Sequence, residues 1–388
     1  MYELGKELAA KGHRITVLTT FPQYNLTEAS KKDIKSYPVV ANEDGIHVIR
    51  LKTLPIHNVN HIARGIGQLL LPFLFFRGTR LVGSQDVSVV YSPPLTLGLA
   101  AYLIKKRKWT PFIFNVQDLF PQNAIDLGAL KQPSLIKFFE WMEKFIYQKA
   151  NHITVHSAGN RDYVQSMGIN PNKVSVIHNW VDLDEYKIDG IPNPLREKDE
   201  FKGKLIIFFG GVMGYAQDLE TVVECANILK DHKQIIFLLL GDGAEKKTLL
   251  RKSQSLGLNN IEFLPFVSKE EYPFWVHVAD VGLVTLKRSM KTPVVPSKIL
   301  GYMAAGKPIL ASLNPESDGI RILEEAHCGI NVLAGNPSAM ADAVLKFSAD
   351  REETRAMGQN GRLYAEKYFS INACINQYEG IFRSLTKK

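Results

Sequence analysis

Cysteine is scarce in this chain: three residues, Cys225, Cys328 and Cys374, stand among 388. They lie too far apart for metal-ligand spacing, which excludes a zinc ribbon or a disulfide framework. Each falls in an apolar helical or strand-edge pattern and reads as a small buried hydrophobe, in keeping with a reducing, cytoplasmic setting. No apolar core follows the opening Met1-Tyr-Glu-Leu-Gly-Lys, so a signal peptide is not expected. Long hydrophobic runs are missing too. The greasiest, Leu69-Leu-Leu-Pro-Phe-Leu-Phe-Phe76, is well short of the roughly 20 apolar residues that span a bilayer. Nor is there a basic stripe interleaved with aromatics, so nucleic acid is not an expected partner.

What is present is a globular composition, 45% hydrophobic and 22% charged. The length exceeds what one core usually serves, so two domains are expected. A net charge of +8 favours anionic partners without choosing among nucleotide diphosphates, phospholipid headgroups and nucleic acid. The run at 69–76, flanked by Arg64, Arg77 and Arg80, has two readings. It is a helix covering a sheet, or an amphipathic surface that docks on an anionic membrane.

Short β-type runs alternate with helical patterns, which predicts βαβ units on parallel sheets. Strands are expected at 14–19, 47–51, 87–91, 111–115, 153–155 and 174–177, and again at 204–209, 235–240, 261–264, 281–285 and 308–312. At 134–150, Leu135, Phe138, Phe139, Met142, Phe145 and Ile146 recur as one helical face. Residues 187–203, rich in Pro, Gly and charge, read as a linker. The predicted organisation is a first Rossmann-like domain at 1–186, a second at 204–350 and terminal helices at 351–388 that return toward the first domain. The fold class is α/β, two doubly wound Rossmann-like domains facing across a cleft. One feature resists this. The chain opens in a helix at 2–11, so no first strand is read for the first domain. A start assigned too late or a shortened product would each account for this, and the former is expected, since losing a central strand leaves buried edges unpaired.

Three loops carry candidate chemistry. In Phe208-Phe-Gly-Gly-Val-Met-Gly-Tyr-Ala-Gln-Asp218 a strand ends in glycines and a helix follows at once. Gly211, Met213, Gly214 and Gln217 therefore lie where N–H groups can meet a phosphate, although an ordinary βα turn reads the same way. Gly241-Asp242-Gly243 repeats the pattern one βαβ step later. Pro296-Ser-Lys-Ile-Leu-Gly-Tyr-Met-Ala-Ala-Gly-Lys-Pro308 delimits a short helix, with Pro296 at its start, Ser297 as cap and Gly306 at its end. Its N-terminus, with Lys298 as a point charge, could hold a diphosphate, and Lys287 and Arg288 could reach the same anion. As surface cations they could equally be solvated.

Taken in order, Gly-Gly-Val-Met-Gly, Gly-Asp-Gly, Pro-Ser-Lys-Ile-x-x-Tyr-Met-Ala-Ala-Gly-Lys-Pro and Cys328-Gly-Ile-Asn-Val resemble the donor-binding half of family-4 retaining glycosyltransferases of GT-B fold. The likeness is narrower still to those that build bacterial surface polysaccharides, such as the O-antigen fucosamine transferases. Tyr91-Ser-Pro-Pro-Leu, Val116-Gln-Asp-Leu-Phe-Pro-Gln-Asn-Ala-Ile-Asp-Leu-Gly128 and Ile177-His-Asn-Trp-Val-Asp182 are similar to that subgroup's acceptor-side loops. The resemblance spans nearly the whole chain. It implies transfer of a hexosyl or N-acetylhexosaminyl group, including an N-acetylated deoxysugar, from a nucleotide diphosphate, UDP before GDP, to a lipid-linked or oligosaccharide acceptor in O-antigen or capsule synthesis. Phosphate contacts are implied near Gly211, Gly214, Ser297 and Lys298, a further donor contact at Ile299, and base contacts near Phe266 and Val267. Acceptor-side contacts fall at Ser92, Pro93, Gln117 and Asp118, with Asp118 and Lys298 in catalysis. Asp118 also reads as a helix or turn cap before Pro121. Metal-independent chemistry is expected, because cations and helix dipoles can stabilise the leaving group. Contact with the cytoplasmic face of the inner membrane through 69–76 is a further expectation.

Two departures stand out. Family members carry two glutamates eight positions apart, the second on the ribose; here those places hold Pro293 and Gly301. The usual Arg and Lys of the first loop align with Val212 and Gln217. A nucleotide-sugar epimerase on the same fold, and a degenerate protein that binds a glycan or partner without turnover, are the rival readings.

Overall fold

The structure is a computed structural model that describes residues 1–21, 38–53, 61–187, 193, 195–198 and 201–386, with backbone alone at 61–66. The Arg64 side chain and parts of the predicted linker lie outside the described residues. The first half contains β1 (Thr16–Thr20), β2 (Val39–Glu43), β3 (Ile46–Leu51), β4 (Ser88–Ser92), β5 (Phe112–Val116), β6 (His152–Val155) and β7 (Val174–Val176). They form two sheets, β1-β3-β2 and a parallel β4-β5-β6-β7. Among the described residues β1 pairs only with β3 and β4 only with β5, and β1 buries none of its residues fully. β2 was not foreseen. It pairs antiparallel with β3 through a two-residue turn at Asp44 and Gly45, with φ of 49° and 79°. An Asp-Gly dipeptide between β-branched runs is the signal that marks such a hairpin.

The second half forms one parallel sheet of β8 (Leu205–Gly210), β9 (Ile235–Leu240), β10 (Ile261–Leu264), β11 (Val281–Thr285), β12 (Ile309–Leu313) and β13 (Gly329–Leu333), in the order β10-β9-β8-β11-β12-β13. All residues of β8, β9, β11 and β12 are buried, as a sheet covered on both faces requires of continuous apolar runs. The order reverses between β8 and β11, and at such a point the loops leaving the strand ends part and open a crevice. β13, also unforeseen, is an edge strand with only intermediate or exposed positions. Its mixed Gly-Ile-Asn-Val-Leu pattern gives little periodic signal.

The stretch read as a linker packs on the second half where it is described. Asn193 Nδ2 donates to the Phe274 carbonyl at 2.7 Å, Arg196 pairs with Asp280 at 3.0 Å, and Phe201 is buried. Helix Arg351–Tyr368 packs against helix Lys298–Ala304 of the second half. Helix Ile371–Thr386 crosses to the first half, where Cys374, Ile375, Tyr378 and Ile381 share a core with Leu4, Leu8, Ile113 and Ile177. Each fully buried isoleucine contributes about 1.5–3 kcal/mol, so the chain's ends are joined through this core.

Helix Pro133–Lys149 turns Met142, Glu143, Ile146 and Tyr147 inward. Leu135 and Phe138, expected on the apolar face, are instead exposed beside Trp141, which is 60% accessible. Glu143 occupies the inward face with no exposed surface, accepting hydrogen bonds from Tyr147 Oη at 2.9 Å and Tyr163 Oη at 3.3 Å. Burial raises its carboxyl to about 7. A group protonated more readily in the folded chain gives stability that is full below its unfolded pKa near 4.5 and is lost as pH rises through 7. The loss comes to about 3 kcal/mol. Glu143→Gln should abolish this pH dependence in urea unfolding between pH 4.5 and 8; an unchanged slope in the variant would place its origin elsewhere.

Candidate active site

A cleft of about 740 Å³ lies between the halves, walled by Tyr91, Gln117 and Asn179–Val181 on one side and by Gly210–Val212, Gln217, Tyr272, Ser297, Lys298 and Gly301 on the other. Its second wall is built at the β8/β11 reversal. Gly211, with φ of 142°, takes a backbone conformation that favours glycine. A Cβ there would stand 3.0 Å from Lys298 Cε, so the missing side chain is what lets Lys298 cross the loop and reach the cleft.

Lys298 is the electrostatic centre of this wall. Its Nζ donates to Gln217 Oε1 at 3.0 Å and sits 4.7 Å from the Phe209 ring centroid. No carboxylate pairs with it among the described residues. Removal from water lowers its pKa to about 8, because an ammonium loses hydration faster than one amide oxygen and one ring face replace it. A half-buried cation without a counter-ion is a place where an anion is stabilised.

The glycine loops contribute differently from expectation. The N–H groups of Gly210, Gly211 and Met213 already donate to Tyr302 Oη, the Leu240 carbonyl and the Asp242 carbonyl, at 3.3, 2.9 and 2.8 Å. The loop thus has few donors left for a phosphate. Met213 is a fully buried core residue. Gly214 opens a 3₁₀ turn at Tyr215–Gln217. Gly241, Asp242 and Gly243 do not line the cleft. Their glycines permit close packing of backbones: a Cβ on Gly241 would lie 1.9 Å from the Gly211 carbonyl oxygen, and one on Gly243 would lie 2.4 Å from that of Met213.

Helix Lys298–Ala304 has only seven residues, and Ser297, at its N-cap position, makes no side-chain capping bond. The expected cap is therefore not formed, and the exposed Ser297 hydroxyl faces the cleft instead. Seven aligned peptides make a small dipole, which leaves more of the charge to Lys298. Pro296 is half-buried ahead of the helix and Ile299 points into the core. Lys287 lies 3.1 Å from the Tyr215 ring centroid and does not line the cleft; nor do exposed Arg288, exposed Phe266 or Val267, which packs on the sheet's core.

On the opposite wall Gln117 lines the cleft and donates through Nε2 to Asn115 Oδ1 at 2.8 Å. Asp118, the next residue, is exposed just beyond that lining; its Oδ1 accepts from Asn123 Nδ2 at 3.3 Å. It does not cap the short helix Gln122–Asp126, whose N-cap residue Pro121 carries no side-chain bond. Its charge reaches Tyr91, whose hydroxyl is raised by burial first and by Asp118 second. Ser92 is buried and accepts the Gln117 N–H on its carbonyl at 2.9 Å; Pro93 is exposed, and neither lines the cleft.

The sequence reading missed the aromatic lining: Tyr91, Trp180, Tyr186, Tyr272 and Tyr378. Tyr91 and Trp180 stood inside quoted motifs and Tyr378 in the aromatic pattern of the terminal helices, whereas Tyr186 and Tyr272 arrive from two other segments and carried no local signal. Among the described residues Glu3 is the one carboxylate in the lining, and its Oε2 accepts from the Trp180 indole at 2.7 Å. The pair Asp182 and Asp184 has the spacing of an acidic metal motif. Asp182 is engaged by the N–H of Asp184 at 2.9 Å, and Asp184 by Lys187 at 2.6 Å. Among the described residues no group of three His, Cys, Asp or Glu could hold a metal ion.

Comparison with known proteins follows the same division. Residues 1–185 match the model for Glycosyltransferase Family 4, and residues 193–364 that for glycosyl transferases group 1. The probable glycosyltransferase WbjE of Pseudomonas aeruginosa is 29% identical over 295 residues, covering 74% of this chain and 72% of its own. The putative colanic acid biosynthesis glycosyl transferase WcaI of Escherichia coli K12 is 24% identical over 315 residues, covering 78% and 76%. The crystal structure of Anabaena Alr3699/HepE in complex with UDP superposes with a TM-score of 0.71 at 15% identity, over 96% of this chain and 100% of that one. With both sheets, the cleft between them and both halves of the sequence in agreement, the chain belongs to the GT-B glycosyltransferases, a family-4 domain followed by a group 1 domain.

Proposed function

We propose that this glycosyltransferase moves a sugar, hexosyl or N-acetylhexosaminyl and including an N-acetylated deoxysugar, from a nucleoside diphosphate, UDP before GDP, to a lipid-linked or oligosaccharide acceptor of a bacterial surface polysaccharide. The observation that carries the proposal is Lys298, a desolvated ammonium with no anionic partner among the described residues, facing the cleft at the sheet's reversal point. Breaking the anomeric C–O bond leaves charge on the diphosphate, and a prepositioned cation stabilises that charge most where water is scarce. Gln217 holds Lys298 in place. Tyr91 and Gln117, with Asp118 at the rim, orient the transferred sugar and acceptor. Support for UDP comes from the HepE complex, and for surface polysaccharide from the colanic acid relative.

Retention of configuration is the stereochemistry the lining favours. Inversion needs a general base opposite the leaving group, and Glu3, the one carboxylate lining the cleft among the described residues, accepts from the Trp180 indole and lies 3.8 Å from Lys269 Nζ. The departing diphosphate can then take the acceptor proton on its own face, and no step requires a metal. Incubation with UDP- and GDP-sugars and a lipid-diphosphate acceptor should release the nucleoside diphosphate and give a product of unchanged anomeric configuration by NMR. Asp118→Asn should slow this release. Epimerised donor without transfer would support the first rival reading, and no turnover with tight glycan binding the second.

We place the work at a membrane's cytoplasmic face. No helix of the described residues is long and apolar enough to cross a membrane. Helix His61–Gly78 does, however, expose Leu69, Leu70 and Phe73, the last 65% accessible, while Leu71 is buried. It packs on helix Leu97–Lys108, whose last turn carries Lys105, Lys106, Arg107 and Lys108. Apolar side chains beside clustered cations suit an anionic interface. Co-sedimentation with phosphatidylglycerol vesicles should fall several-fold for Phe73→Ser; equal binding to neutral vesicles would remove this part of the proposal.

A further inference from the structure

The wall that carries Lys298 holds a second polar side chain, and this one makes no hydrogen bond through its hydroxyl among the described residues. Tyr186 belongs to the segment joining the halves. Its ring packs on the core of the second sheet, and its carbonyl accepts from His277 Nε2 at 2.9 Å. The first contact holds the ring and the second the backbone against the second wall. Its hydroxyl ends beside Gly301, where a Cβ would stand 3.0 Å from Tyr186 Oη. Glycine at 301 therefore leaves open the space that the phenol enters, and both residues line the cleft. Among the described residues no hydrogen bond reaches Tyr186 Oη. Burial, and secondarily the charge of Glu185, push this hydroxyl up to about 12, so it remains a neutral group able both to donate and to accept.

Position decides what such a group can meet. Residues 298 and 301 are three apart on one helix, so they lie on the same face roughly 5–6 Å from each other. A phosphate held by Lys298 places its neighbouring sugar about one turn away. The opposite wall, with Tyr91 and Gln117, faces the other end of a nucleotide sugar. Tyr186 shares its side of the cleft with Tyr272, which opens the helix Tyr272–Val278 following β10. That is the side on which a nucleoside would lie. A neutral hydroxyl suits an uncharged, hydroxyl-bearing ring better than it suits a phosphate or a flat base.

We infer that Tyr186 Oη hydrogen-bonds a ribose hydroxyl of the donor nucleotide and so serves as the recognition group for the nucleoside half. The role rests on the nucleotide-sugar reading of the cleft. It makes Tyr186, rather than any residue of the helix at 298–304, the part of the site that tells a ribonucleotide from its deoxy analogue.

The test is calorimetric titration of the intact protein with UDP, 2′-deoxy-UDP and 3′-deoxy-UDP, and with the matching GDP series, for wild type, Tyr186→Phe and Gly301→Ala. One neutral hydrogen bond corresponds to a roughly 2–12-fold change in affinity. Wild type should bind one deoxy analogue weaker by that factor. Tyr186→Phe should bind the ribonucleotide equally weakly and lose the discrimination, with an unchanged unfolding midpoint. Gly301→Ala should produce the same loss by displacing the hydroxyl while the phenol remains. If wild type binds a ribonucleotide and Tyr186→Phe keeps full discrimination, the inference falls and the transferase reading survives. A uniform loss for ribo- and deoxynucleotides would also overturn it. No binding of either series to wild type would overturn both.

Discussion

Replacing Lys298 with alanine is expected to lower donor cleavage by about 10²–10³-fold, the effect of removing one preorganised group that stabilises developing negative charge. The fold should not suffer. The ammonium is held in a site that removes it from water, with one amide and one aromatic face for company, and taking away a poorly solvated charge relieves a penalty. An unfolding midpoint equal to or above that of wild type is therefore expected. The pH dependence gives an independent sign. With the pKa of Lys298 lowered to about 8, the cationic form prevails at neutral pH and is lost as pH rises through that value. Affinity for a nucleoside diphosphate should fall above pH 8 in wild type, with proton uptake accompanying binding there. In Lys298→Ala the same profile should be flat. Turnover within twofold of wild type would remove Lys298 from the chemistry.

Gly241→Ala should be the most damaging small substitution in the second half. The added methyl would lie 1.9 Å from the Gly211 carbonyl oxygen, and the backbone there has φ of 140°. Neither neighbour can yield, since the Gly211 N–H is bonded to the Leu240 carbonyl and the Gly241 carbonyl accepts from Lys246 Nζ at 2.7 Å. Overpacking and an unfavourable φ each cost about 1–3 kcal/mol, so a combined loss of roughly 2–6 kcal/mol in denaturant unfolding is expected. Gly257→Ala is the comparison. It also has positive φ, 63°, but nothing lies within 4 Å of its Cβ position, so only the smaller backbone cost applies. Equal destabilisation by the two would show that the loop contact contributes nothing.

The extent to which sequence revealed this molecule follows from the range of each interaction. β8, β9, β11 and β12 are continuous apolar runs because both sheet faces are covered, and that pattern is local; their positions were readable to within a residue or so. β2 and β13 escaped for opposite reasons. β2 was marked by Asp44-Gly45, a turn signal that the reading passed over, while the edge position of β13 weakens any periodic pattern. In the site, Lys298 and Gln217 could be proposed from motif order, but their 3.0 Å contact could not. The glycines at 241 and 243 were legible as a strand-end loop. Their purpose, letting two backbones touch, depends on a loop some thirty residues earlier. Tyr186 was invisible, because nothing near it in sequence announces that its hydroxyl ends against Gly301.

The central claim is that the second wall of the cleft receives a nucleoside diphosphate through Lys298. Isothermal titration of the intact, folded protein with UDP and GDP at pH 7, paired with the Lys298→Ala variant, tests it most directly. A saturable one-to-one heat in wild type, reduced by at least tenfold in affinity in the variant, is the expected result. Absence of heat with both nucleotides, or equal binding by the two proteins, would contradict it.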